Sequence, residues 1–137
     1  MGKDNWQKLP LCHKEAEKLD IILVCDGAAS VGQVGHEVGV KLTKEKPNQA
    51  RMCCLSAVAA GSKVHIDIAK KAKRLIAING CGNKCTSKIL ANLSIKPTYE
   101  FTILNEGVEK ISTLDFDTTD VERIAKKITA TIESGQV

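Results

Sequence analysis

A three-layer α/β domain, αβα with a mostly parallel sheet of about four strands, is the fold this sequence predicts, and three observations carry it. A run at 21–25 rich in β-branched residues reads as a strand buried on both faces, a shorter second strand follows at 51–56, and an almost wholly apolar third lies at 74–79. The segments between and after them repeat apolar residues at helical spacing. Strands that alternate with helices in this way build a parallel sheet covered by helices on both sides.

A chain of 137 residues with 43% hydrophobic content is long enough for one core and too short for two comfortable ones. Residues 1–18 read as a polar lead-in with a helical piece at 14–18, and residues 19–137 as a single α/β domain. Within the lead-in, Cys12-His13 reads as a partly exposed loop. Residues 21–25 form the central strand, and Asp26-Gly27 turns the chain. Ser30 then caps a helix, with Gln33 three residues on completing a capping box. Val31, Val34, Val38 and Leu42 give that helix one apolar stripe, and it ends before Pro47. Gly35 and Gly39 lower its propensity and so predict close packing against a neighbour. In a second strand over 51–56, the adjacent Cys53 and Cys54 must point to opposite faces. A helical segment follows, turning Ile68, Ala69 and Ala72 inward and leaving His65 on the surface. Residues 74–79 are the third strand, 86–93 a helix, and 99–104 a half-exposed edge strand. The last helix starts near Thr118 or Thr119, presents Val121, Ile124, Ala125, Ile128 and Ile132 at helical spacing, and finishes by Gly135.

The net charge of +4 comes from basic and acidic residues interspersed in sign, and only four residues are aromatic. Neither an electrostatic footprint nor a stacking platform for nucleic acid is present, so no nucleic-acid partner is expected. The start lacks a signal-type apolar region and no apolar run approaches a bilayer span, which predicts a cytoplasmic protein without a membrane partner. In that reducing compartment six cysteines read as ligands, redox thiols or core residues more readily than as disulfides. The loop from Gly27 to Gly32 has the outline of a phosphate loop, but Gln33 and Val34 stand where Lys and Ser or Thr are required.

Function is expected at the carboxyl ends of the strands, where an open parallel sheet binds its ligands at the point of strand reversal. Cys25 ends the first strand, Cys53 and Cys54 lie in or past the second, and Cys81 follows the third. Cys81 and Cys85, with three residues between them, have the spacing of a chelating pair. A helix start at Cys85 would favour a thiolate, and Lys84 and Lys88 would offset the charge. Cys25 is the natural third ligand and Cys53 or Cys54 the fourth.

The stretches Cys25-Asp26-Gly27-Ala28-Ala29-Ser30, Cys54-Leu55-Ser56-Ala57 and Asn79-Gly80-Cys81 with Cys85 resemble a family of small zinc-binding proteins named for an Asp-Gly-Cys motif. Gly107-Val108-Glu109-Lys110 is similar to a further segment of that family, and the resemblance spans roughly residues 20–110. It implies a zinc ion held by Cys25, Cys54, Cys81 and Cys85, with Cys53 as a core thiol and Cys12 without a role. Asn79 stands where the naming motif has Asp, which removes a carboxylate beside the site. Four protein ligands leave no position for a reacting water, so a metal-binding protein is expected more than an enzyme. Two alternatives remain: a thiol redox or sulfur-transfer enzyme using Cys81 or Cys85 as nucleophile, and iron or an iron–sulfur cluster on the same four cysteines. Protein partners, and any role for His13, His36 or His65, are left unassigned.

Overall fold

In the computed structural model, which describes residues 2–135, the strand β1 (Asp20–Val24) is buried along its whole length. It pairs in parallel with β2 (Ala50–Met52) on one side and with β3 (Arg74–Asn79) on the other. The sheet is completed by β4 (Tyr99–Thr102), parallel to β3, giving the order β2-β1-β3-β4. Its register sets Ile22 beside both Met52 and Ile76, and Ile78 beside Val24 and Phe101.

Alternation along the strands divides the core. Ile22, Val24, Ile76, Ile78 and Phe101 face α2 (Ser30–Glu45) and α6 (Thr118–Ser134). Ile21, Leu23, Leu75 and Ala77 face the opposite layer, formed by α1 (Cys12–Glu15), α3 (Leu55–Ala59), α4 (Lys63–Lys71) and α5 (Cys85–Asn92). Each aliphatic side chain removed from water contributes roughly 1.5–3 kcal/mol, so both faces of the two central strands must be covered. The expected close approach of α2 is met. A Cβ on Gly39 would lie 3.0 Å from Val24 Cγ1 and 3.2 Å from Met52 Sδ, and one on Gly35 would lie 3.3 Å from Ile78 Cγ2.

The lead-in is docked, not loose. Ala16 and Leu19 are buried, and Lys73 N–H donates to both their carbonyls. The second strand is shorter than expected, because the chain leaves it after Met52 and the helix-forming stretch from Leu55 takes over. Three of the four residues of β4 are buried, so this edge strand is less exposed than its alternation suggested; only Glu100 faces out. At α6 the Asp117 carboxylate caps the helix by accepting from Thr119 N–H at 2.9 Å, and Gly135, at φ +71°, ends it. No helix among the described residues is long and apolar enough to cross a membrane.

Candidate functional site

From β1 the chain moves to β2 on one side and then crosses to β3 on the other, so strand order reverses between β1 and β3. Cys25 and Cys81 follow the carboxyl ends of these two strands, and both are half-buried. Cys25 N–H extends the ladder to Ile78 O at 3.2 Å. The crevice is closed by bare backbone. A Cβ on Gly80 would stand 3.1 Å from Cys25 Sγ and 3.2 Å from Gly32 Cα, and one on Gly32 would stand 2.2 Å from Gly27 O. Only glycine fits at either place without moving main chain, which explains Gly32 better than phosphate binding does.

Cys54 occupies the position before α3 and Cys85 is the first residue of α5; both thiols are exposed, and the two helices pack together. The four expected ligands therefore follow strand ends on one edge of the sheet. Among the described residues, however, no three Cys, His, Asp or Glu side chains gather closely enough to share an ion.

Local bonds fix the turn that carries Cys81 and Cys85. Asn79 is fully buried; its Nδ2 donates to Ser87 Oγ at 2.7 Å and its Oδ1 accepts from Ser87 N–H at 3.1 Å. Thr86 Oγ1 donates to Ile78 O, so β3 and the first turn of α5 are tied twice. Lys84 takes the left-handed conformation at φ +52°, and Asn83 Nδ2 donates to Cys85 Sγ at 3.0 Å. The Cys81 thiol is held below its ordinary pKa chiefly by Asn83 N–H, with Lys110 and Lys88 adding positive charge against the cost of burial. Of the two lysines expected to offset charge, Lys88 does so, while Lys84 lies 3.7 Å from Glu100.

Lys110 was not legible as a site residue. It reaches Cys81 because Ser30, at the start of α2, clamps its segment: Ser30 Oγ donates to Glu109 O at 2.7 Å and accepts from Ile111 N–H at 2.8 Å. This corrects the capping box. Ala29 is the N-cap, Ser30 spends its hydroxyl on a segment some eighty positions away, and Gln33 Nε2 donates to Gly27 O. The motif Gly107-Val108-Glu109-Lys110 was the available sign.

Cys53 points away from Cys54, into the second face of the core, as strand alternation requires. Its neighbour is Cys12, which packs against the same core cluster from a short helix and not from the loop expected. Cys53, with the nearby Arg51 cation, brings the Cys12 thiol down to about 6 despite partial burial. Cys12, then burial, pushes the Cys53 thiol up. Of the histidines, His65 Nδ1 is 2.7 Å from Ser62 Oγ. His36 Nδ1 is 3.0 Å from Asp26 Oδ1 but out of line for a hydrogen bond.

Residues 21–128 match the DGC domain. The chain belongs to the DGC-domain family. The matched span runs from β1 into α6, so it contains the whole sheet and all four strand-end cysteines. This DGC-domain chain is also similar to the anaerobic and virulence modulator AnvM of Pseudomonas aeruginosa, at 24% identity over 108 residues, covering 79% of this chain and 81% of the relative. No solved structure matches it.

Proposed function

We propose that this DGC-domain protein binds a zinc ion through the thiolates of Cys25, Cys54, Cys81 and Cys85, and acts by binding and not by catalysis. The observation that carries the reading is a shared edge at the sheet's switch point: Cys25 and Cys81 follow the two central strands, and two packed helices begin at or beside Cys54 and Cys85. The donor chemistry suits zinc, since thiolate is its preferred structural ligand and Lys88 and Lys110 offset part of the negative charge. The described arrangement is open, so binding requires the donors to close on the ion.

A bound zinc would supply charge neutralisation and a cross-link between the strand exits. The chain's own residues supply the rest: Asn79 fixes the start of α5, Ser30 holds Lys110 over Cys81, and Gly32 and Gly80 let the β1 and β3 exits touch. Asn79 meets the Ser87 hydroxyl and amide without a charge, so it serves as a brace and not as a base. The Pseudomonas relative is named a modulator, which agrees with action through binding, in a reducing cytoplasm that keeps thiols free. The test is anaerobic purification followed by elemental analysis and an absorption spectrum. One colourless zinc per chain supports the proposal, visible charge-transfer bands point to iron, and a folded metal-free protein overturns it.

One observation favours a second reading, a reactive thiol at Cys81: the Asn83 amide and the charges of Lys110 and Lys88 hold it below its ordinary pKa. Timed alkylation of metal-free protein decides, since a thiol enzyme requires Cys81 to react ahead of the exposed Cys54 and Cys85.

A further inference from the structure

The six cysteines divide into the strand-end four and a separate pair, Cys53 in the core and Cys12 packed against that core from the N-terminal segment. We propose that Cys12 and Cys53 are a dithiol redox site, oxidised reversibly by low-molecular-weight disulfides to a bond that staples the N-terminal segment to the exit of β2. Cys12 packs against the core cluster to which Cys53 belongs, and the bond from Arg51 to Pro10 O lays the two segments side by side. Their supports differ. Cys53 is buried and its N–H donates to Ile22 O at 2.9 Å, so it is held in the sheet ladder. Cys12 lies on a four-residue helix with no buried residue of its own, half-exposed and carried by a segment that Arg51 Nε holds through Pro10 O at 3.0 Å. One sulfur is therefore fixed and shielded, while the other is accessible and mounted on the element freer to move the last distance.

That asymmetry orders the chemistry. The Cys12 thiolate attacks one sulfur of the small disulfide, whose S–S bond breaks and releases the first thiolate, which takes up a proton. Cys53 then loses its proton, and its sulfur attacks the Cys12 sulfur of the mixed disulfide, expelling the second small thiol. The protein gives up two electrons and two protons, and the small disulfide becomes two thiols. Cys53 is reached only through Cys12, because burial keeps it from the external reagent. The downward shift of the Cys12 thiol, toward thiolate at neutral pH, assists the first step. Closing the long loop between residues 12 and 53 also constrains the unfolded chain, which raises the melting temperature of the oxidised form.

The test equilibrates the full chain with glutathione and glutathione disulfide, quenches with acid, alkylates, and maps disulfides by mass spectrometry. A Cys12–Cys53 linked peptide is expected, reversed by dithiothreitol, with a melting temperature higher by roughly 5–10 °C in the oxidised form. Cys12→Ser should abolish the link, and Cys53→Ala should leave Cys12 carrying one glutathione. A stable glutathione adduct on Cys12 in the wild-type chain, or both thiols alkylated at every redox ratio, overturns the proposal. Cys12→Ser lies on a peripheral helix, so it and the wild type decide the matter even if Cys53→Ala fails to fold. The result is independent of the zinc reading, because Cys12→Ser leaves all four strand-end cysteines in place.

Discussion

Replacing Ser30 by Ala removes a hydroxyl that holds two distant segments together, and the structure sets the size of the effect. Ser30 is buried, donating to Glu109 O and accepting from Ile111 N–H, so the variant leaves a carbonyl and an amide without their partner. Each such loss costs about 1–3 kcal/mol, partly offset by about 0.5 kcal/mol of better helix propensity in the first turn of α2. The bond from Ser30 N–H to Ile111 O survives, so the segment loosens without detaching. The expected net loss is about 2–4 kcal/mol, which lowers a urea midpoint by roughly 1–2 M with an unchanged slope. Hydrogen exchange at the Ile111 amide should quicken in the same variant. A midpoint within about 0.2 M of wild type would refute the claim that this clamp holds the 107–111 segment over Cys81.

Four further substitutions probe the supports around the cysteines and the last helix. Gly32→Ala should destabilise by about 1–3 kcal/mol, because the new Cβ meets Gly27 main chain, while Gly82→Ala, with nothing near its Cβ, should stay within about 0.5 kcal/mol in the same denaturation assay. Asn79→Ala leaves the buried side of Ser87 unpaired and should cost about 2–3 kcal/mol, with faster hydrogen exchange in the first turn of α5. Asp117→Ala should lower the melting temperature at neutral pH and lose that effect in acid. The Asp117 carboxyl is held below its ordinary value by the Thr119 side chain and amide, so its contribution is full above the unfolded carboxylate pKa, near 4, and disappears as pH falls through the lower folded value. A variant gap that persists undiminished at about pH 2 would contradict the capping role.

The sheet was legible because its signal is local. The runs at 21–25 and 74–79 are apolar on both faces, and only a central strand of a covered sheet needs that. The helix stripe with Gly35 and Gly39 was readable for the same reason: the small residues record how near Val24 and Ile78 come. Strand-end placement of the cysteines followed from alternation of strands and helices. What escaped were contacts between distant residues. Ser30 looks like a cap when only Gln33 is in view, and its true partners are Glu109 and Ile111. Cys12 has no local motif to mark it, and it comes beside the cluster holding Cys53 only once the lead-in docks against β2. The closeness of the four strand-end thiols was likewise unreadable, since spacing along the chain fixes the edge they share and not the distances between them.

The central claim is that Cys25, Cys54, Cys81 and Cys85 act together on one metal ion. Cobalt(II) titration of metal-free protein under anaerobic conditions tests it most directly, because thiolate-to-cobalt absorption reports sulfur ligation at the metal itself. The zinc proposal predicts saturation at one cobalt per chain, displacement by zinc, and a weakened thiolate band in each of Cys25→Ser, Cys54→Ser, Cys81→Ser and Cys85→Ser, with Cys12→Ser unchanged. A folded wild-type chain that gives no thiolate band, or one whose band survives Cys81→Ser and Cys85→Ser, would contradict it.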